Sequence, residues 1–222
     1  MPTTRGLDRV VFFTDAVTAI AITLLILPLV DSVAQSAQQG LSIDQFLRDN
    51  GDGLAAFALS FAVIARLWMT HHAMFEHVTS YTRRLLVLNL LWAFTVVLLP
   101  LPTEIISQFP TTATSIAFYI GTMAVSSLLL TSMTLLVRGH PQLELDTNPI
   151  DDRKVFASIV ATTLFFVALL IGVLVPAINF FALLILLLGW PLQALYDRRA
   201  DARGARREGP PSNTGSRSDP KP

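Results

Sequence analysis

The sequence contains no cysteine. That absence excludes a disulfide framework, a thiolate metal site and a cysteine nucleophile. Charge is also scarce: 14% of the 222 residues are Asp, Glu, Lys or Arg, against about 25% in a soluble domain. Lysine is nearly missing, with only Lys154 and Lys221, so arginine carries the positive charge. There is no Walker loop, no dinucleotide fingerprint and no Gly-x-Ser-x-Gly elbow, which argues against nucleotide and hydrolase chemistry. His72, Glu76 and His77 include an i, i+4 spacing but lack the His-Glu-x-x-His zinc pattern, so no metal site, no cofactor and no enzyme are expected. Nothing in the charge pattern points to nucleic acid. The Thr-Val-Gly-Tyr-Gly carbonyl filter is absent, as are paired Gly- or Pro-broken helices in two halves.

What is present is apolar length. Hydrophobic residues make up 52% of the chain and the mean hydropathy is +0.56. Six apolar segments, at 10–30, 54–75, 85–107, 113–137, 155–176 and 178–197, are each long enough to cross a bilayer as a helix. The expectation is an all-α integral membrane protein with six transmembrane helices over residues 1–197, followed by a disordered basic tail over 198–222 that reads first as an ordinary positive-inside anchor and alternatively as a contact for anionic lipid. Val175-Pro176-Ala177-Ile178-Asn179 reads as a tight turn between the last two spans. Ser42-Ile43-Asp44-Gln45 reads as a capping box that starts a short helix. Arg5 and Arg9, Arg83 and Arg84, Arg138, Arg153 and Lys154, and the arginines after 197 all fall on one side of a six-span arrangement. Only Arg48 falls on the other, so both termini are expected in the cytoplasm.

The first span carries the most specific pattern. Phe13, Ala16, Ile20, Thr23, Leu27 and Val30 recur at spacings of 3 and 4 and form one stripe. Asp15 lies roughly 110° round the helix from that stripe, so the carboxylate and the stripe face different neighbours. An intramembrane Asp needs a partner, and Arg66, Trp68, His71, His72 and Glu76 on the second span are in reach. Asp15 with a histidine and Asp15 with Arg66 are the pairs expected. Asn89 is expected to bond another helix. Ser126, Ser127, Thr131 and Ser132 suit either a polar path or close helix packing.

Two motifs resemble a known family. Arg9-x-x-x-Phe13-Thr14-Asp15 is similar to the Arg-x-x-x-Phe-Ser-Asp signature of the transmembrane protein 175 family of potassium channels, with Thr14 keeping the hydroxyl. Trp68-Met69-Thr70-His71-His72 and Leu88-Asn89-Leu90-Leu91 resemble that family's second and third helices. The resemblance implies a multi-pass protein of a bacterial inner membrane: a homotetrameric potassium channel whose only partners are its own copies, lipid and permeant potassium ions. It implies that helix 1 lines a central pore narrowed by apolar side chains, matching Ile20, Thr23 and Leu27 here. It further implies a gating network over Arg9, Phe13, Thr14, Asp15, Trp68, His71, His72 and Asn89. The rivals from other classes are a proton-coupled secondary transporter using Asp15 and a membrane scaffold without a pore.

Overall fold

A computed structural model describes residues 4–207. Its elements in order are α1 (Thr4–Leu24), α2 (Leu27–Gln38), α3 (Ile43–Asp49), α4 (Gly51–Phe75), α5 (Arg83–Leu98), α6 (Pro100–Gln108), α7 (Ala113–Arg138) and α8 (Asp152–Leu174), then a 3-10 stretch (Pro176–Leu188) and α9 (Gly189–Arg207). No strand occurs among the described residues; a single antiparallel bridge joins Val78 and Glu144. Six helical stretches are long and apolar enough to cross a membrane: Arg5–Gln38, Gly51–Phe75, Arg83–Gln108, Ala113–Arg138, Asp152–Leu174 and Phe181–Arg199.

Two of these spans are broken, which the sequence reading did not anticipate. The first is interrupted at Leu25 and Ile26 and resumes at Leu27, with Pro28 in the first turn of α2. Proline has no N–H and its ring crowds the carbonyl four residues earlier, here that of Leu24. The third is interrupted at Leu99, with Pro100 opening α6. The first span also runs on to Gln38, well past the end expected at 30. At the other end of the chain, the residues after Pro176 wind as a 3-10 helix, so the sixth span becomes α-helical only from Gly189. That helix continues to Arg207, past the tail boundary expected at 198; residues 208–222 lie outside the described residues.

The remaining ends follow local chemistry. Ser42 caps α3 in a reciprocal box with Gln45, and Thr112 does the same for α7 with Ser115. Thr82 caps α5 and Asp151 caps α8. Each satisfies backbone donors that a helix start otherwise leaves free.

α7 is the most buried span and packs on α8, α5 and α6. Its contact with α8 is close because small residues meet there. A Cβ added at Gly172 would stand 2.7 Å from a methyl of Ile116. Hydroxyls tie the two helices together: Ser127 Oγ and Thr131 Oγ1 each lie 2.8 Å from Thr162 Oγ1, and Thr131 also reaches Ser158. Ser132 bonds back to the Leu128 carbonyl, and the buried Ser126 hydroxyl has no partner. Ser127 and Thr131 therefore serve packing of α7 on α8, while Ser132 bonds within its own helix, and the four do not share a continuous chain of hydrogen bonds.

α1 packs on α4, α5 and α6 along one ridge. Leu7, Thr14, Thr18, Ala21 and Leu25, spaced 7, 4, 3 and 4 apart, are buried. Their small central members let the helices approach closely, and the Thr14 and Thr18 hydroxyls are satisfied by backbone carbonyls four residues back.

Candidate functional site

The opposite face of the first span is bare. Phe13, Ile20, Leu27 and Val30 are each more than half exposed, and Ala16 and Thr23 are exposed as well. The stripe read from the sequence is thus turned away from its own bundle, and packing within the subunit does not explain its spacing. The break at Leu25 and Ile26 lies inside the stripe, between Thr23 and Leu27. Thr23 Oγ1 donates to the Ile20 carbonyl at 2.8 Å. That fixes the hydroxyl proton inward and leaves the oxygen's lone pairs free as acceptors.

The buried face of α1 carries a polar network. Thr14, His71 and Asn89 are all fully buried, at 0% exposure. Asn89 Nδ2 donates to Thr14 Oγ1 at 2.7 Å, and the Thr14 hydroxyl in turn donates to the Val10 carbonyl at 2.9 Å. Asn89 Oδ1 lies 2.6 Å from His71 Nε2. Because that amide oxygen only accepts, His71 is assigned the Nε2–H tautomer. Its Nδ1 has no partner. One amide therefore joins three helices: α1 through Thr14, α4 through His71 and α5 through its own backbone. The imidazole is held flat against Trp92, with ring centroids 4.1 Å apart and planes 12° apart, and Phe75 packs at 4.6 Å.

Asp15 is partnered by Trp68, one of the second-span side chains in reach, and not by a histidine or Arg66. Trp68 Nε1 donates to Asp15 Oδ1 at 2.8 Å, a charge-assisted bond between α1 and α4. Neither histidine nor Arg66 pairs with it. His71 is spent on Asn89, and His72 points outward, 3.9 Å from Glu76 and 5.6 Å from the Trp68 ring. The physical reason is register. Trp68 and His71 lie three apart on one face of α4, so when His71 meets α5 it is Trp68 that meets α1. Arg9 is exposed, and with Phe13 it borders a shallow cleft against Tyr81 and Asn89. Trp92 was not singled out from the sequence, although it follows Asn89 by three and so shares its face. Among the described residues no group of three or more His, Cys, Asp or Glu could hold a metal ion. His77 instead accepts from Lys154 and meets the Asn148 carbonyl.

The sequence model of the family described as "Endosomal/lysosomal potassium channel TMEM175" matches residues 9–100, from the arginine of the first motif to the proline that breaks the third span. Over these residues the chain is similar to the TMEM175 family. A potassium channel of Streptomyces collinus is 38% identical over 101 residues, 46% of this chain and 48% of that protein. The endosomal/lysosomal proton channels TMEM175 of Gallus gallus and Homo sapiens are 36% and 35% identical over 107 residues, 46% of this chain and 21% of theirs. The chain thus spans about half the length of the bacterial relative and about a fifth of the vertebrate ones. A crystal structure of a lysosomal potassium-selective channel TMEM175 homolog from Chamaesiphon minutus superposes with a TM-score of 0.63 at 21% identity, over 88% of this chain and 98% of that one. The TMEM175 fold therefore extends over the later spans, where the sequence match has ended. The family and its solved relative are ion channels, not enzymes.

Proposed function

We propose that this protein is a TMEM175-type, potassium-permeable channel of the inner membrane of a bacterium, assembled as a homotetramer, with both termini in the cytoplasm. In this reading the bare face of the first span lines the central axis, and Ile20, Thr23 and Leu27 form the constriction. The single observation that carries it is the exposed stripe on the one helix that also bears the family signature. Apolar rings hold back water and therefore ions. Four outward Thr23 oxygens give a partly dehydrated cation acceptors at the narrow level. Thr14, Asn89 and His71, with the Asp15–Trp68 bond, fasten α1 to α4 and α5, so that movement of the pore helix is coupled to this anchor.

Relatives named as proton channels make proton passage the second reading. The stripe favours potassium, since it contains no titratable side chain and Asp15 faces Trp68 instead. The test is purified protein in planar bilayers, with potassium and pH gradients imposed separately, and a cysteine scan of 16–30. Thiol block at 20, 23 and 27 with reversal near the potassium potential is the expected result. Block at 18, 21 and 25 with those three spared refutes the pore face. Coupled slow flux without single-channel steps indicates a transporter, and silence indicates a scaffold.

A further inference from the structure

A groove of about 370 Å³ runs between α4 and α8 over a floor made by α7. It is separate from the network above: none of Thr14, Asp15, His71 or Asn89 lines it. Ala73, Ala157 and Ala161 hold its walls apart by being small, and its lining is mostly apolar. Its charges are of one sign. Arg66 and Lys154 border it and no carboxylate does, among the described residues. Arg66 makes no ion pair among the described residues, although it lies within a membrane span, where an unpaired cation is costly. Lys154 stands at the mouth, its Nζ 2.6 Å from His77 Nε2. The ammonium has two further N–H groups to give. His77 is itself fixed by the Asn148 carbonyl at 2.7 Å, so the lysine is held in place on a rigid support. Arg66 lies nine residues before the end of α4, about 14 Å deeper, where its long side chain can follow the apolar wall.

Apolar walls with two cations and no acid are complementary to an anion that carries a hydrocarbon chain. A zwitterionic lipid would bring its own cation beside Arg66 and Lys154 with no carboxylate to receive it, and a small anion would leave the apolar floor empty. We propose that this groove binds one anionic phospholipid. Its phosphate sits against Lys154, Arg66 meets phosphate or ester oxygens from the bilayer side, and an acyl chain lies along α7 and α8 toward Phe165. With both termini in the cytoplasm, as proposed above, the lipid comes from the cytoplasmic leaflet. Basic recesses between spans on that side suit such headgroups.

The test is titration of the full-length protein in neutral detergent with dioleoylphosphatidylglycerol, dioleoylphosphatidylcholine and inorganic phosphate, with retained ligand read by native mass spectrometry. Phosphatidylglycerol is expected to be held in preference to phosphatidylcholine. Arg66→Gln with Lys154→Gln should weaken it by roughly tenfold or more, and Arg66→Lys with Lys154→Arg should preserve it. Arg48→Gln, at the other end of the second span, should change nothing. Either single glutamine variant gives the same reading, at a smaller effect, if the double variant does not fold. Four outcomes overturn the proposal: equal retention by wild type and the glutamine variants; equal retention of the two lipids; displacement by inorganic phosphate, which indicates a free-anion site; and dissociation of the oligomer with lipid retention unchanged, which indicates a contact between copies.

Discussion

Replacing Asn89 by leucine should be among the most damaging single changes in this protein, and the reason can be tested separately from the damage. Leucine keeps the approximate shape of asparagine but neither donates nor accepts. Thr14 loses a donor yet keeps its own proton on the Val10 carbonyl, so its share of the cost is small. His71 loses the acceptor of its Nε2–H while its Nδ1 is already without a partner. A buried, unsatisfied donor costs about 1–3 kcal/mol, which with the lost Thr14 bond puts Asn89→Leu at about 2–4 kcal/mol. Measured couplings between polar groups in membrane bundles average only about 0.6 kcal/mol and reach about 1.7. All three residues here are fully buried, with no alternative partner, which favours the upper end. His71→Phe should partly rescue Asn89→Leu, because the ring can still stack on Trp92 and no N–H is orphaned. The cycle should therefore show a coupling of about 1–2 kcal/mol, with the double variant more stable than the sum of the singles predicts. Unfolding in mixed micelles by titrated sodium dodecyl sulfate, followed by far-ultraviolet circular dichroism, reads all four proteins. Additivity within about 0.3–0.5 kcal/mol, or an Asn89→Leu protein as stable as wild type, would show that the amide is not the bond between the three helices.

Asp15→Asn keeps an acceptor for the Trp68 indole and should cost little, whereas Trp68→Phe strands the carboxylate and should cost about 1–3 kcal/mol; the same micelle titration decides it, and a larger loss for the asparagine variant contradicts the bond. Gly172→Ala drives a Cβ to 2.7 Å from the Cγ2 methyl of Ile116 and should destabilise by about 1–3 kcal/mol through overpacking, with Ile116→Ala, which removes that methyl, making the pair less damaging than the sum of the two; no thermal shift in detergent would mean that α7 and α8 are further apart. A reporter fused after Tyr196 should be cytoplasmic and one placed in 35–50 external, and the reverse result for either breaks the proposed topology.

The spans were legible in the sequence because bilayer thickness imposes their length, and the capping box at Ser42 because capping is local chemistry. Partners across helices were not. A histidine and Arg66 are both expected partners of Asp15 because the second span brings them near its level, but sequence position gives only an approximate level and not the one at which two helices cross. That level is set by the crossing of α1, α4 and α5, and at that crossing Trp68 is opposite Asp15 while His71 is opposite Asn89. The break in the first span had a signal, Pro28. It was passed over because the apolar run continues through it and hydropathy has no term for a missing N–H.

That break bears on which surroundings the bare face of α1 requires. Pro28 denies the Leu24 carbonyl its usual donor, and the turn at Leu25 and Ile26 is closed by long backbone bonds of 3.3 and 3.4 Å. Irregular backbone at membrane depth is tolerated where it meets protein or water, not where it meets lipid tails. A lipid-facing stripe would therefore combine a largely apolar helix face with a kind of backbone that lipid cannot satisfy. A stripe on a central axis has no such conflict, because water and neighbouring copies can serve the freed groups. The two observations, an exposed apolar face and a proline break within it, are each ambiguous alone. Together they favour an axis-lining first span, and they put the freed backbone between Thr23 and Leu27, at the level of the proposed constriction.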